Sequence, residues 1–227
     1  MHYFVINTKN YLEASGVKLD KLVALLARAK VQGRRLRIFI AVPAFDLRYL
    51  HVKYPNVDFL TQHLDAASAG SSTGALVPEI AKASGACGSI INHSERRLEE
   101  VSITKLVNRL RDLKMISIVC ARDVEEVSRL SACKPDFIAV EPPELIGTGK
   151  AVSSVSPRII SDSRAALNGS NVPDMKTKLL CGAGIVDAED AIRAIELGAE
   201  GILVASGVVL SRDWKTKIDE FCKALSG

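Results

Sequence analysis

Several features that would assign a chain to a special class are missing from this sequence. No apolar run approaches the roughly 18 residues of a membrane-spanning helix, and the strand-like segment HYFVIN starts at position 2 with no basic region or cleavage site before it. We therefore expect neither a membrane span nor a secretion signal. The Gly-x-Gly-x-x-Gly fingerprint of dinucleotide-binding folds is also missing after this first segment, which continues as INTKNY.

The cysteines form no recognisable framework. There are five of them, an odd number, and they are scattered, with no Cys-x-x-Cys pair and no histidine at zinc-like spacing. This pattern predicts reduced and mostly buried thiols in a cytoplasmic protein, rather than a disulfide scaffold or a zinc site.

The net charge is small and gives no indication of a nucleic-acid partner. The formal net charge is +4, and the one dense basic cluster, GRRLR at 33–37, has no interleaved aromatic residues. Nucleic-acid binding is therefore disfavoured. A small anionic substrate remains compatible with this charge.

What the chain does contain is a regular series of apolar segments. Eight of them are rich in β-branched residues and continuous rather than alternating, as expected of strands that are buried on both faces. They lie at 3–7, 36–42, 57–62, 88–92, 115–121, 136–141, 178–182 and 201–206.

Segments with helical periodicity lie between these strands. The clearest are 18–32, 99–113, 123–131 and 187–198, a shorter helix is expected from Pro78, and the polar segment 161–176 is the weakest. Eight such units in 227 residues average about 28 residues each, which leaves little room for a second domain. The pattern predicts an α/β fold, a (β/α)8 barrel formed by residues 1–227 as a single domain, with an open doubly wound sheet as the alternative.

Polar residues follow the predicted strands at the end where such barrels place their active sites. Asn7 and Lys9 follow the first strand, His93 and Glu95 follow the fourth, and Glu141 ends the sixth. Each could be an ordinary solvated or turn-forming residue. Their joint placement at one barrel mouth favours a functional site.

Two small-residue turns, CGAG at 181–184 and VASG at 204–207, follow the seventh and eighth strands. Backbone N–H groups in such turns can surround a phosphate, because small residues let the backbone approach it closely. A phosphorylated small molecule is the ligand that these turns favour.

Five motifs together resemble the triosephosphate isomerase family, in its shorter archaeal branch. They are NTK (7–9), NHSERR (92–97), EPPELIGTG (141–149), CGAGI (181–185) and LVASG (203–207). The resemblance implies a (β/α)8 barrel that interconverts dihydroxyacetone phosphate and D-glyceraldehyde 3-phosphate in glycolysis and gluconeogenesis, with no metal or organic cofactor. A phosphate-binding barrel for a larger sugar phosphate, or a barrel that has lost catalysis, are the competing interpretations.

The resemblance also assigns roles to residues. This family is a standard example of a glutamate base paired with a neutral histidine, which implies that Glu141 removes a carbon-bound proton and that His93 polarises the carbonyl. Lys9 and Asn7 would stabilise and orient the enediolate, and Glu95 would hold Lys9. We also expect SERRLEE to begin a helix whose positive end keeps His93 neutral.

Further expectations concern phosphate binding and assembly. Phosphate binding is implied for Thr8, Ile146, Gly147, Gly184, Ala205 and Ser206, and residues 142–150 are implied to close over the ligand as a lid. The loop 69–75 would insert into a neighbouring subunit and bring Thr73 near the partner's Lys9. A homotetramer built from dimers, with no nucleic-acid or membrane partner, is the expected assembly.

Overall fold

The computed structural model describes residues 1–29, 36–142, 155–169 and 177–226. Its centre is a closed barrel of eight parallel strands, in which each strand pairs with the next along the chain and β8 pairs with β1. The strands are β1 (His2–Asn7), β2 (Leu36–Val42), β3 (Asp58–Thr61), β4 (Gly88–Ile91), β5 (Ile116–Ala121), β6 (Phe137–Val140), β7 (Lys178–Cys181) and β8 (Gly201–Val204). The predicted fold class is confirmed.

Helices lie between the strands and cover the outside of the barrel. Within the described ranges they are α1 (Gly16–Arg28), α2 (Ala44–Lys53), α3 (Pro78–Ala83), α4 (Glu100–Asp112), α5 (Val124–Ser131), α6 (Pro157–Asn168), α7 (Ala188–Glu196), α8 (Ser206–Val209) and α9 (Trp214–Ser226). None of these helices is long and apolar enough to cross a membrane.

Three of these helices, α2, α8 and α9, were not predicted. In α2 only Leu47 and Leu50 are buried, so its ten residues carry too weak an apolar stripe to stand out. The α8 segment has only four residues and begins inside the predicted eighth strand, which ends at Val204 instead of position 206.

The barrel interior is filled by side chains, so a ligand can bind only at the ends of the strands. Tyr3 packs edge-on against Phe137 with ring centroids 4.7 Å apart and stacks on Phe39 at 6.4 Å. Such aromatic contacts stabilise the interior beyond the burial of their surface. The polar groups at the carboxyl ends of the strands are therefore held on a rigid frame.

All five cysteines lie within the described residues and carry free thiols. Cys120, Cys181 and Cys222 are buried, and Cys87 and Cys133 are partly buried. This agrees with the prediction of reduced thiols.

Candidate active site

His93 and Glu141 face each other across the carboxyl end of the barrel. His93 lies two residues beyond β4 and Glu141 directly follows β6. Nε2 of His93 lies 3.6 Å from Oε2 of Glu141, and the two side chains are only 8% and 3% exposed. The structure therefore brings together a carboxylate and an imidazole that are 48 residues apart in the sequence.

The backbone beside His93 fixes the tautomer of its ring. The N–H of Glu95 donates to Nδ1 of His93 at 3.2 Å, so Nδ1 acts as an acceptor and the proton of the neutral ring resides on Nε2. Burial, with the positive charge of Lys9 next in importance, lowers the pKa of His93 to about 4. The ring is therefore neutral near pH 7 and directs an N–H toward Glu141.

The expected cause of this neutrality was wrong. No helix begins at Ser94, because α4 starts at Glu100 and residues 94–99 form a turn and extended backbone. The helix dipole acts only within the first turn of a helix. Loss of solvent around the imidazole, rather than a helix N-terminus, keeps His93 uncharged.

Glu141 is a buried carboxylate with one unused oxygen. Among the described residues Oε2 has no hydrogen-bond partner, while the backbone N–H of Glu141 donates to Ala121 O at 2.7 Å and fixes the start of the side chain. Burial raises the pKa of Glu141 to about 7, against smaller lowering effects of the Cys120 thiol and the Lys9 charge. A carboxylate with this pKa can both accept and return a proton near neutral pH.

Because Gly182 has no side chain, the Glu141 side chain can pack directly against its backbone. A Cβ at position 182 would lie 2.5 Å from Cγ of Glu141 and 2.8 Å from its Oε1. Sequence reasoning treated this glycine only as part of a phosphate-binding turn. Its role in seating the carboxylate follows from a contact between distant segments, which no local pattern contains.

Lys9 is held between two polar neighbours. Its Nζ donates to Oε1 of Glu95 at 2.7 Å, and its backbone N–H donates to Oδ1 of the buried Asn7 at 3.0 Å. Lys9 lines the same cavity as His93 and Glu141. A fixed positive charge therefore lies beside the facing pair.

The turns after β7 and β8 close the other side of this cavity. Gly184, Ala205 and Ser206 line it together with Tyr11, which the sequence analysis did not single out. The two turns are in direct contact, since a Cβ at Gly207 would lie 2.6 Å from Ile185 O. Small side chains at both turns thus keep backbone groups accessible at this wall.

The remaining candidates fall into two groups. Thr8 is fully buried and its hydroxyl donates to Ala41 O at 3.0 Å, so its role in phosphate binding stays a prediction. Ile146 and Gly147, with the lid residues 143–150, lie outside the described residues. Within the described ranges no group of His, Cys, Asp and Glu side chains is arranged to hold a metal ion.

A closed (β/α)8 barrel with a carboxylate, a neutral imidazole and a lysine at its carboxyl end defines the class of barrel enzymes that act by acid–base chemistry. The family model for triosephosphate isomerase matches residues 2–222. The chain belongs to the triosephosphate isomerase family.

Three archaeal relatives named triosephosphate isomerase are similar over nearly the whole chain. The protein of Cenarchaeum symbiosum is 46% identical over 98% of this chain and 97% of its own length. Those of Methanothermus fervidus and Archaeoglobus fulgidus are 42% and 40% identical, over 95% and 97% of this chain and 95% and 96% of their own lengths. The resemblance and the enzyme class, an isomerase, are confirmed. The predicted triosephosphate isomerase function, with its general place in glycolysis and gluconeogenesis, is confirmed at the level of the family.

Proposed function

We propose that this chain interconverts dihydroxyacetone phosphate and D-glyceraldehyde 3-phosphate by proton transfer through an enediolate, with Glu141 as the base. The observation that carries the proposal is the facing pair, with Nε2 of His93 3.6 Å from Oε2 of Glu141, an oxygen that has no hydrogen-bond partner among the described residues. A substrate that contacts both side chains from the cavity would meet a proton acceptor and a proton donor at adjacent atoms.

The reaction starts with removal of one proton from the carbon next to the carbonyl. Glu141 takes this proton, and the electron pair of the broken C–H bond moves toward the carbonyl oxygen to form the enediolate. The Nε2–H of His93 donates to that oxygen and passes protons between the two oxygens. Glu141 then returns its proton to the neighbouring carbon, so that only protons move and no oxidant or reductant is needed.

Lys9 stabilises the negative charge that develops on the enediolate. Its ammonium pairs with Glu95 at 2.7 Å and its backbone N–H is held by Asn7, so together these contacts keep the charge in place, and preorganised charge of this kind stabilises a transition state more than mobile charge does. Asn7, which holds the Lys9 backbone at 3.0 Å, keeps the lysine stem in place at the strand end. Asn7 also lines a larger neighbouring cleft.

The phosphate of the substrate binds at the turns after β7 and β8. Gly184, Ala205 and Ser206 line the same cavity as the reacting groups, and backbone N–H groups are suitable ligands for a dianion. Ile146 and Gly147 of the lid, together with Thr8, are the further phosphate-binding residues of this proposal. Lid closure would exclude water from the enediolate, which otherwise eliminates phosphate.

The chain assembles as a homotetramer built from dimers. A cleft of about 830 Å³ next to Lys9 is lined by residues that follow β1, β2, β3 and β4, and Phe45 at its edge is fully exposed. The loop 69–75 of a second subunit fills this cleft and brings Thr73, itself exposed, to the partner's Lys9. We place this single-domain enzyme in the cytoplasm, in keeping with its free thiols.

Light scattering at several protein concentrations tests this assembly. We expect the mass of four chains of 24.5 kDa each for the wild-type protein, and smaller species for Thr73→Arg, whose long charged side chain does not fit a closed cleft. A wild-type protein that stays monomeric at every concentration would contradict the assembly.

A coupled assay in both directions tests the reaction itself. Purified protein should interconvert the two triose phosphates without added metal. A barrel specific for a larger sugar phosphate would turn over that compound and leave the triose phosphates unchanged, and a scaffold protein would turn over neither. Either of these results would refute the proposed function.

A further inference from the structure

Gln62, the residue directly after β3, joins two neighbouring segments of the barrel mouth. Its Nε2 donates to Lys9 O at 2.7 Å and to Oγ1 of Thr8 at 3.1 Å, and lies 3.5 Å from Ala41 O. Backbone carbonyl oxygens only accept hydrogen bonds, and the Thr8 hydroxyl already donates to Ala41 O. The amide nitrogen of Gln62, and not its oxygen, must therefore face this cluster.

The backbone of Lys9 has an unusual conformation that needs support. Its φ of 46° lies in the left-handed region, which side-chain-bearing residues disfavour. The N–H of Lys9 is held by Asn7 and its C=O by Gln62. Among the hydrogen bonds of the described residues, these two side chains provide the only partners of the Lys9 backbone.

The ion pair between Lys9 and Glu95 does not fix this lysine by itself. The Glu95 side chain is 57% exposed, and an ion pair with an exposed partner holds its members weakly. The direction in which the lysine stem leaves the barrel is set by its backbone. The backbone is where Gln62 acts.

We propose that Gln62 is a positioning residue for the isomerase reaction, which holds the strained Lys9 backbone so that the ammonium stays beside His93 and Glu141. The inference rests on the proposed role of Lys9. Gln62 also lines the larger cleft, not the cavity that contains Glu141, and it acts on the substrate only through Lys9.

A double-mutant cycle tests this directly, because an effect that passes through Lys9 must disappear when Lys9 has no charge. The variants are Gln62→Met, which keeps the length of the side chain but has no N–H, Lys9→Met, and the double variant. Two quantities are measured for each, kcat/KM and the Kd of 2-phosphoglycolate, whose carboxylate mimics the enediolate and whose phosphate mimics that of the substrate. Thermal unfolding at equal protein concentration reports any general structural damage.

We expect Gln62→Met to lower kcat/KM about tenfold to hundredfold, the effect of displacing a reacting group by about 1 Å, and to weaken phosphoglycolate binding. In the Lys9→Met background the same substitution should change neither quantity. Equal losses in both backgrounds, or a normal kcat/KM for Gln62→Met, would overturn the proposal.

The binding arm separates this inference from the proposed reaction. The four proteins could show the expected cycle in phosphoglycolate binding while the wild type turns over no triose phosphate. This result would support the role of Gln62 and refute the proposed reaction. If the wild type is active but the effects of the Gln62 and Lys9 substitutions are additive, only the role of Gln62 is refuted. A wild-type protein that neither binds phosphoglycolate nor turns over triose phosphate would refute both.

Discussion

Nε2 of His93 and Oε2 of Glu141 lie 3.6 Å apart, and both side chains are almost fully buried. Burial moves the two pKa values in opposite directions, since it lowers that of His93 to about 4 and raises that of Glu141 to about 7. In each case the uncharged form is the one that burial favours. The pair is thus a neutral proton donor facing a carboxylic acid that ionises near neutral pH.

This relationship predicts the pH dependence of the reaction. Only ionised Glu141 can remove a proton, so kcat/KM should rise with pH and level off above a pKa of about 7. Protonation of His93 should add no loss until the pH approaches 4. The profile is measured after correction for the substrate phosphate, which titrates near pH 6, and a corrected profile that is flat from about pH 5.5 to 8 would contradict the prediction.

The same carboxylate should make the folded state less stable at high pH. A folded-state pKa raised from 4.5 to about 7 gives stability that is present below pH 4.5 and lost as the pH rises through 7. Glu141→Gln cannot ionise and should therefore be more stable than the wild type above pH 7, by up to about 3 kcal/mol.

Denaturant unfolding at pH 8.5 and pH 4, with the protein concentration fixed, measures this difference. The advantage of Glu141→Gln should be present at pH 8.5 and absent at pH 4. If Glu141→Gln and the wild type were equally stable at both pH values, ionisation of Glu141 would not destabilise the folded state.

Gly182→Ala should damage catalysis while leaving the fold intact. The added Cβ would lie 2.5 Å from Cγ of Glu141, so the carboxylate must move, and a shift of about 1 Å lowers turnover by up to about a hundredfold. We expect kcat to fall with little change in KM. Gly169→Ala is the matched control, because a Cβ there meets only Ala165 O at 3.5 Å and Ala166 O at 3.9 Å. Comparable kcat values for the two variants would show that Gly182 is not needed to position the Glu141 carboxylate.

Ser163→Ala should stabilise the barrel. Ser163 on α6 is fully buried, and among the described residues its hydroxyl has no hydrogen-bond partner. A buried hydroxyl without a partner costs about 1–3 kcal/mol, so its removal should raise the free energy of unfolding by about 1 kcal/mol. Ser161→Ala on the exposed face of the same helix, where the hydroxyl donates to Arg158 O at 3.1 Å, should have little effect, and a destabilised Ser163→Ala would contradict the prediction.

The strands and the position of the site could be predicted because both depend on local patterns. A continuous apolar run marks a strand buried on both faces, and β2 was predicted with its observed bounds, Leu36–Val42. Parallel strands in a barrel present their carboxyl ends at one mouth, so His93 and Glu141 could be placed together without a structure. Helix α2 could not be found this way, because its apolar residues are too few.

What could not be predicted consists of contacts between distant segments. The tautomer of His93 depends on one N–H of the Glu95 backbone, and the cause of the lowered pKa is burial by neighbours that no single motif contains. The space left by Gly182 and the support that Gln62 gives to Lys9 have the same origin. Such contacts depend on how neighbouring strands end relative to one another.

The role of Glu141 as the base is tested by the turnover of Glu141→Gln compared with the wild type in the coupled assay, with Glu141→Asp alongside. Gln keeps the shape of the side chain but cannot accept the proton, so kcat should fall by at least about a thousandfold, the upper part of the range for a general base. Asp retains the carboxylate but withdraws it by about one bond, so its loss should be smaller, about a hundredfold. A single cooperative unfolding transition for each variant would confirm that both fold. Near-normal kcat for folded Glu141→Gln would show that another group removes the proton.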